Sequence, residues 1–79
     1  MSAKEVIRQL RLQPFQPFAV VTSGGERHEI RHPENARVVE GGMLYIFKPS
    51  ADPEAEVGPP ITLSLLHVTT LDPLQGSAA

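Results

Sequence analysis

The stretch FAVVTSGGERHEI, Phe18 to Ile30, decides how this chain folds. A β-branched run, a glycine pair and a second run of alternating character read as a β-hairpin, and the only question is its register. A two-residue Gly24-Gly25 loop would set Thr22 opposite Arg27 and Phe18 opposite Arg31, leaving Ile30 on the face away from Phe18 and Val20. A three-residue loop with Gly25 as a left-handed bulge residue sets Thr22 opposite Glu26, Val20 opposite His28 and Phe18 opposite Ile30. The second arrangement gathers Phe18, Val20, His28 and Ile30 on one face and is preferred, because a one-residue slip moves a strand's whole apolar set to the wrong side. The first remains open on sequence alone.

Upstream of the hairpin, Ser2 and Glu5 fit a capping box, and Ala3, Val6, Ile7 and Leu10 make one apolar stripe at helical spacing. Pro14 biases Gln13 away from the helical region, so the spacing predicts a short helix from Ser2 to Leu12 that needs a core to dock on. Lys4, Arg8 and Arg11 fall at i, i+4 and i+7 and share one face of it. That face is either simply solvated or a small phosphate-contacting patch.

Downstream come ARVVE (36–40), a Gly41-Gly42 turn and the apolar MLYIFK (43–48), which read as a second hairpin. PSADPEAEVGPP (49–60) carries four prolines and three acids and is expected to be an exposed loop. Ile61, Leu63 and Leu65 alternate with Thr62 and Ser64 as a half-buried strand, Leu66-His67 marks a tight turn, and Val68 to Leu71 makes a last strand. The breakers and small residues of DPLQGSAA suggest a single domain over 1–74 with a frayed tail at 75–79. A mainly β fold follows: a short N-terminal helix and a small five-stranded bent antiparallel barrel of Sm-like or SH3-like kind, which would bury each strand's apolar face without long flat edges.

Composition narrows the function classes. The chain has 79 residues, 41% of them hydrophobic and 20% charged, which suits one small globular domain. It has no cysteine, so disulfides, thiolate chemistry and cysteine-based zinc sites are excluded, and a cytoplasmic location is expected. No apolar run is long enough to span a bilayer. Residues 1–48 carry seven bases against five acids, and residues 49–79 carry four acids and no base. This is weak electrostatics for a nucleic-acid binder.

Candidate chemistry is sparse. His28 and His32 have H-x3-H spacing, but on a strand four residues span roughly 13 Å, too far for one ion to bridge. His28 reads instead as a stand-in for an aromatic in the sheet face. Glu29, Glu34 and Asp72 are carboxylates that no element brings together, and both double glycines lack the strand-loop-helix setting of a phosphate-cradling loop. Catalytic residues, metal and cofactor are therefore all expected to be absent, and no small-molecule substrate is evident. Base stacking would need exposed aromatics beside cations, for which only Phe15 near Arg11 or Tyr45 near Arg37 would serve.

Two resemblances bear on this reading. LQPFQPFAVVTSGGERHEIRHPE (12–34) with LLHVTTL (65–71) resembles a group of short, uncharacterised bacterial proteins with a PFxPF…HPE…HVT pattern, whose activity is not established. This chain departs from the pattern with Gly24 where Asp is usual and with His28 where a bulky apolar or aromatic residue is common. The order of elements, with His67 in the turn before the last strand, is similar to the Sm-like RNA chaperones of bacteria, which form rings on single-stranded RNA. There a Lys-His pair lines the pore; His67 matches the histidine, and Leu66 replaces the lysine. The expectation is a non-enzymatic interaction module that self-associates, as a homo-oligomer or with a protein partner, through edge strands. The alternative is an Sm-like RNA-binding ring using Lys4, Arg8, Arg11 and His67.

Overall fold

The hairpin forms in the bulged register. In the computed structural model, which describes residues 1–48 and 58–74, strand β1 (Phe18–Thr22) pairs antiparallel with β2 (Arg27–Ile30), with Phe18 opposite Ile30 and Val20 opposite His28. The Thr22 amide donates to the Glu26 carbonyl at 3.0 Å and the Gly25 amide to the Thr22 carbonyl at 2.9 Å, which closes a loop of Ser23, Gly24 and Gly25. Gly25 has φ +86°, a conformation in which a Cβ would clash with its own carbonyl. Thr22 closes the turn from the side, its buried hydroxyl accepting from the Glu26 amide at 3.2 Å.

Helix α1 (Ala3–Leu10) starts where the cap predicts, Ser2 Oγ accepting from the Glu5 amide at 3.4 Å. It stops short of Leu12: Arg11 is already the C-cap, its amide reaching back to Ile7 and Arg8. Val6 is wholly buried, with Ala3 and Leu10 packed partly around the core, and Lys4, Arg8 and Arg11 point outward. An eight-residue helix is below the length that is stable alone, so docking of that stripe is what holds it.

After Ile30 the chain crosses a 3-10 turn at Pro33–Asn35 and enters β3 (Ala36–Val39), which pairs with β4 (Met43–Ile46) across a turn whose Gly41 and Gly42 both have positive φ. β5 (Ile61–Ser64) adds to the other side of β4. A second 3-10 turn, Leu65–His67, leads to β6 (Val68–Pro73), which returns to pair with β1. The predicted loop 49–60 lies mostly outside the described residues, and the predicted tail 75–79 lies entirely outside them; Gly58 and Pro59 are exposed.

The five-stranded bent barrel, Sm-like or SH3-like, is therefore overturned. Among the described residues six strands form two separate three-stranded antiparallel sheets, ordered β2-β1-β6 and β3-β4-β5, and these do not close into a barrel. The 3-10 turn at Pro33–Asn35 joins β2 to β3, and the Leu65–His67 turn joins β5 to β6. Each 3-10 turn thus carries the chain from an edge of one sheet to an edge of the other.

The inner faces of the two sheets share one core. Phe18, Val20, Ile30 and Val68 contribute from the first sheet and its entry, Ala36, Leu44 and Ile46 from the second, with Val6 from the helix and Leu65 from the turn. On the outer face of the first sheet Ala19 is fully buried, flanked on its two sides by Glu29 and Asp72. Arg27 reaches across β1 to Asp72 at 3.0 Å over that small residue. Both partners are about half exposed, so the pair is worth little in itself and serves mainly to shield the strand.

Candidate interaction surface

The Leu65–His67 turn is held to the rest of the described chain by several hydrogen bonds. Ser64 caps it, its hydroxyl accepting from the Leu66 amide at 3.2 Å. The Leu65 amide donates to the Gly42 carbonyl at 2.8 Å, tying the turn to the β3–β4 turn. The Ser23 amide donates to the His67 carbonyl at 2.8 Å, tying it to the β1–β2 turn. The Met1 nitrogen donates to the Leu65 carbonyl at 2.9 Å, which fixes the start of the helix to the same spot. Three turns and the head of α1 thus converge at one end of the molecule.

Successive side chains of a 3-10 turn project about 120° apart, so burying one exposes the next. Leu65 enters the core, and Leu66 is left 89% exposed, the one large hydrophobic so exposed among the described residues. His67 beside it is exposed as well. A single exposed leucine is ordinary. This one differs in being held on a backbone that cannot easily withdraw it.

The turn sits within an uncharged edge. From Ile61 to Leu71 the sequence ITLSLLHVTTL contains no Asp, Glu, Lys or Arg, and it forms β5, the turn and most of β6, which are the outer strands of the two sheets on that side. The other two outer strands differ: β2 carries exposed Arg27 and Glu29, and β3 carries exposed Arg37. Charges on an edge strand oppose pairing with another chain, and their absence leaves the edge open to it.

Of the sequence-predicted residues, Lys4, Arg8 and Arg11 are brought together. They line an open recess of about 570 Å³ with Ile7 and Leu12, and none of the three has an ion-pair partner among the described residues. His67 does not line that recess and lies on the pinned turn instead. Arg37 and Tyr45 are cross-strand partners on the outer face of the second sheet, with Thr62 next in the row. Phe15 is partly buried, its ring 6.1 Å from that of Phe18, and so belongs to the core rim.

The two other histidines and the scattered carboxylates stay apart. His28 faces inward opposite Val20, with a buried Nε2 that has no hydrogen-bond partner among the described residues, and His32 precedes the Pro33 turn. Glu29 pairs with Arg31 at 2.9 Å and Asp72 with Arg27, while Glu34 is exposed in the turn. Among the described residues no group of three or more His, Asp or Glu side chains could hold a metal ion. No described helix is long and apolar enough to cross a membrane.

Sequence reasoning placed a turn at Leu66-His67 and weighed only the histidine. The missed signal is the Leu65-Leu66 pair itself: two adjacent leucines after an alternating strand cannot both enter the core. No protein-family model matches this chain, and neither does any curated protein or solved structure.

Proposed function

We propose that this protein is a non-enzymatic interaction module that self-associates through its uncharged side. The observation that carries the reading is the Ile61–Leu71 run, which has no Asp, Glu, Lys or Arg through β5, the turn and β6 as far as Leu71, and which exposes Leu66 between the two strands. Unpaired amides and carbonyls of an outer strand bind another strand by extending the sheet, and side chains such as Ile61 and Leu63, half-buried here, gain further burial when that happens.

Multi-angle light scattering on the full chain is expected to give a mass above that of one chain, rising with concentration. Thr62→Lys places a charge at the exposed position of β5 and is expected to weaken the association at least about tenfold while leaving thermal unfolding of the protomer within about 0.5 kcal/mol of wild type. A strictly monomeric wild type would end the reading.

Unpaired Lys4, Arg8 and Arg11 on one helix face favour a second reading, in which this face holds the phosphates of single-stranded RNA. Binding of a fluorescent single-stranded RNA should then fall steeply between about 50 and 200 mM salt and drop further in Arg8→Ala/Arg11→Ala. Absence of binding at low salt would remove it.

A further inference from the structure

The outer faces of the two sheets are finished differently. On the first, Arg27 pairs with Asp72 and Arg31 with Glu29, and Ala19 beneath them is wholly buried. On the second, the positions that alternate away from the core include Arg37 and Val39 on β3, Met43 and Tyr45 on β4, and Thr62 on β5. The Phe47 amide donates to the Asn35 carbonyl at 2.7 Å, which carries the β3–β4 ladder one pair beyond Ala36 and Ile46, so alternation keeps Phe47 on the side of Tyr45. Val39, Met43, Tyr45 and Phe47 are all half-buried, and none of the four belongs to the core or packs against it.

Tyr45 and Phe47 thus present two rings on one face, at backbone positions roughly 6.6 Å apart. Arg37 is the cross-strand partner of Tyr45, is exposed, and has no ion-pair partner among the described residues. It is also the only charge on this face among the described strand residues. Glu34 and Glu40 lie in the turns at the two ends of β3, and Lys48 is exposed just past Phe47.

This composition selects the occupant. A second copy packed face to face, or any wholly apolar partner, would bury Arg37 with no carboxylate opposite it, and an unpaired buried charge is costly. A ligand with both flat rings and negative charge uses the rings and the cation together. Single-stranded nucleic acid has both: its unstacked bases lie on aromatic rings and on Arg planes, and aromatic residues on a sheet face are a recurrent way of holding two or three of them.

We infer that the outer face of the second sheet is a stacking platform for single-stranded nucleic acid, with one base on Tyr45, a neighbouring base on Phe47 and the Arg37 guanidinium beside the strand's phosphates. The inference rests on the second reading above, which places phosphates on the Lys4, Arg8 and Arg11 face and gives the bases no platform. It adds a surface that the helix face does not include.

Tyr45 is the only tyrosine and the chain has no tryptophan, so the protein's fluorescence reports this ring alone. The test titrates the full chain at about 50 mM salt with fluorescein-labelled oligouridylate and oligothymidylate of about eight nucleotides, read by anisotropy. Unlabelled strands are added in parallel to follow Tyr45 emission, with N-acetyltyrosinamide in the same solutions correcting for absorption. Binding is expected to quench Tyr45. Tyr45→Leu and Phe47→Leu lie outside the core, so wild-type thermal unfolding is expected of both, and each is expected to weaken binding about tenfold or more. Tyr45→Phe keeps the ring and is expected to bind within about twofold of wild type. Tighter binding of the uridylate or of the thymidylate supports the platform either way and tells RNA from DNA. Binding that Tyr45→Leu leaves unchanged and Arg8→Ala/Arg11→Ala abolishes would overturn the platform and leave the helix reading standing. Tyr45 emission unmoved at saturation would overturn it too, even if the leucine variants failed to fold. A wild type that binds neither strand would overturn both.

Discussion

Phe18→Ala is expected to destabilise the protein by about 3–5 kcal/mol, the loss typical of a fully enclosed aromatic truncated to a methyl group. Phe18 is 2% exposed, heads the central strand of the first sheet and is flanked by Ile30 on β2 and Pro73 on β6. Its ring also packs near that of Phe15, 6.1 Å away, so truncation removes a contact at the core rim as well. A domain of this size has a total stability of roughly 4–12 kcal/mol at the usual per-residue value, so the substitution removes a large part of it. Urea unfolding followed by circular dichroism reads the effect as a lowered midpoint. A loss below about 1 kcal/mol would show that the Phe18 face is not where the two sheets meet.

His28→Leu is expected to act in the opposite direction, raising stability by about 1–2 kcal/mol. The imidazole sits on the inward face of β2, opposite Val20, and its Nε2 is buried with no hydrogen-bond partner among the described residues. An unsatisfied buried polar atom costs its desolvation, and leucine of similar bulk removes the polar atom while keeping the packing. The same urea measurement applies, with an unchanged slope as the sign that the unfolded state is unaffected. A destabilised variant would mean that Nε2 bonds a water in solution, and that His28 is satisfied where it stands.

These two residues also mark how far the sequence could be followed. The hairpin register was legible because two faces compete for one set of apolar side chains, and only the Gly25 bulge puts Phe18, Val20 and Ile30 together. The helix start was legible in Ser2, whereas its end at Arg11 was not, because Pro14 acts only on its immediate neighbour and fraying decides the rest. The barrel was the error. The sequence marks six strand runs, one more than the five of the expected barrel, and closure depends on how edges approach in space, which no local pattern encodes.

The candidate surface divides in the same way. Helical spacing alone predicted that Lys4, Arg8 and Arg11 share a face, since 3.6 residues per turn leaves no freedom. Linking them to His67 required the ring arrangement, and the structure sets His67 on a different element.

What the sequence by itself determined is local: the capped start of the helix, the first hairpin with its bulged register preferred, the glycine turn at Gly41-Gly42 and a run from Ile61 to Leu71 without Asp, Glu, Lys or Arg. Each follows from φ preferences, capping or alternation within a few residues. Only the tertiary structure decided that the strands divide into two sheets and that three turns and the helix start meet at Leu65. It also decided that Leu66 is left outside, just ahead of the β1–β6 ladder. Those outcomes depend on hydrogen bonds such as Met1 to Leu65, 64 residues apart in the chain, and on which of two adjacent leucines the shared core has room to admit.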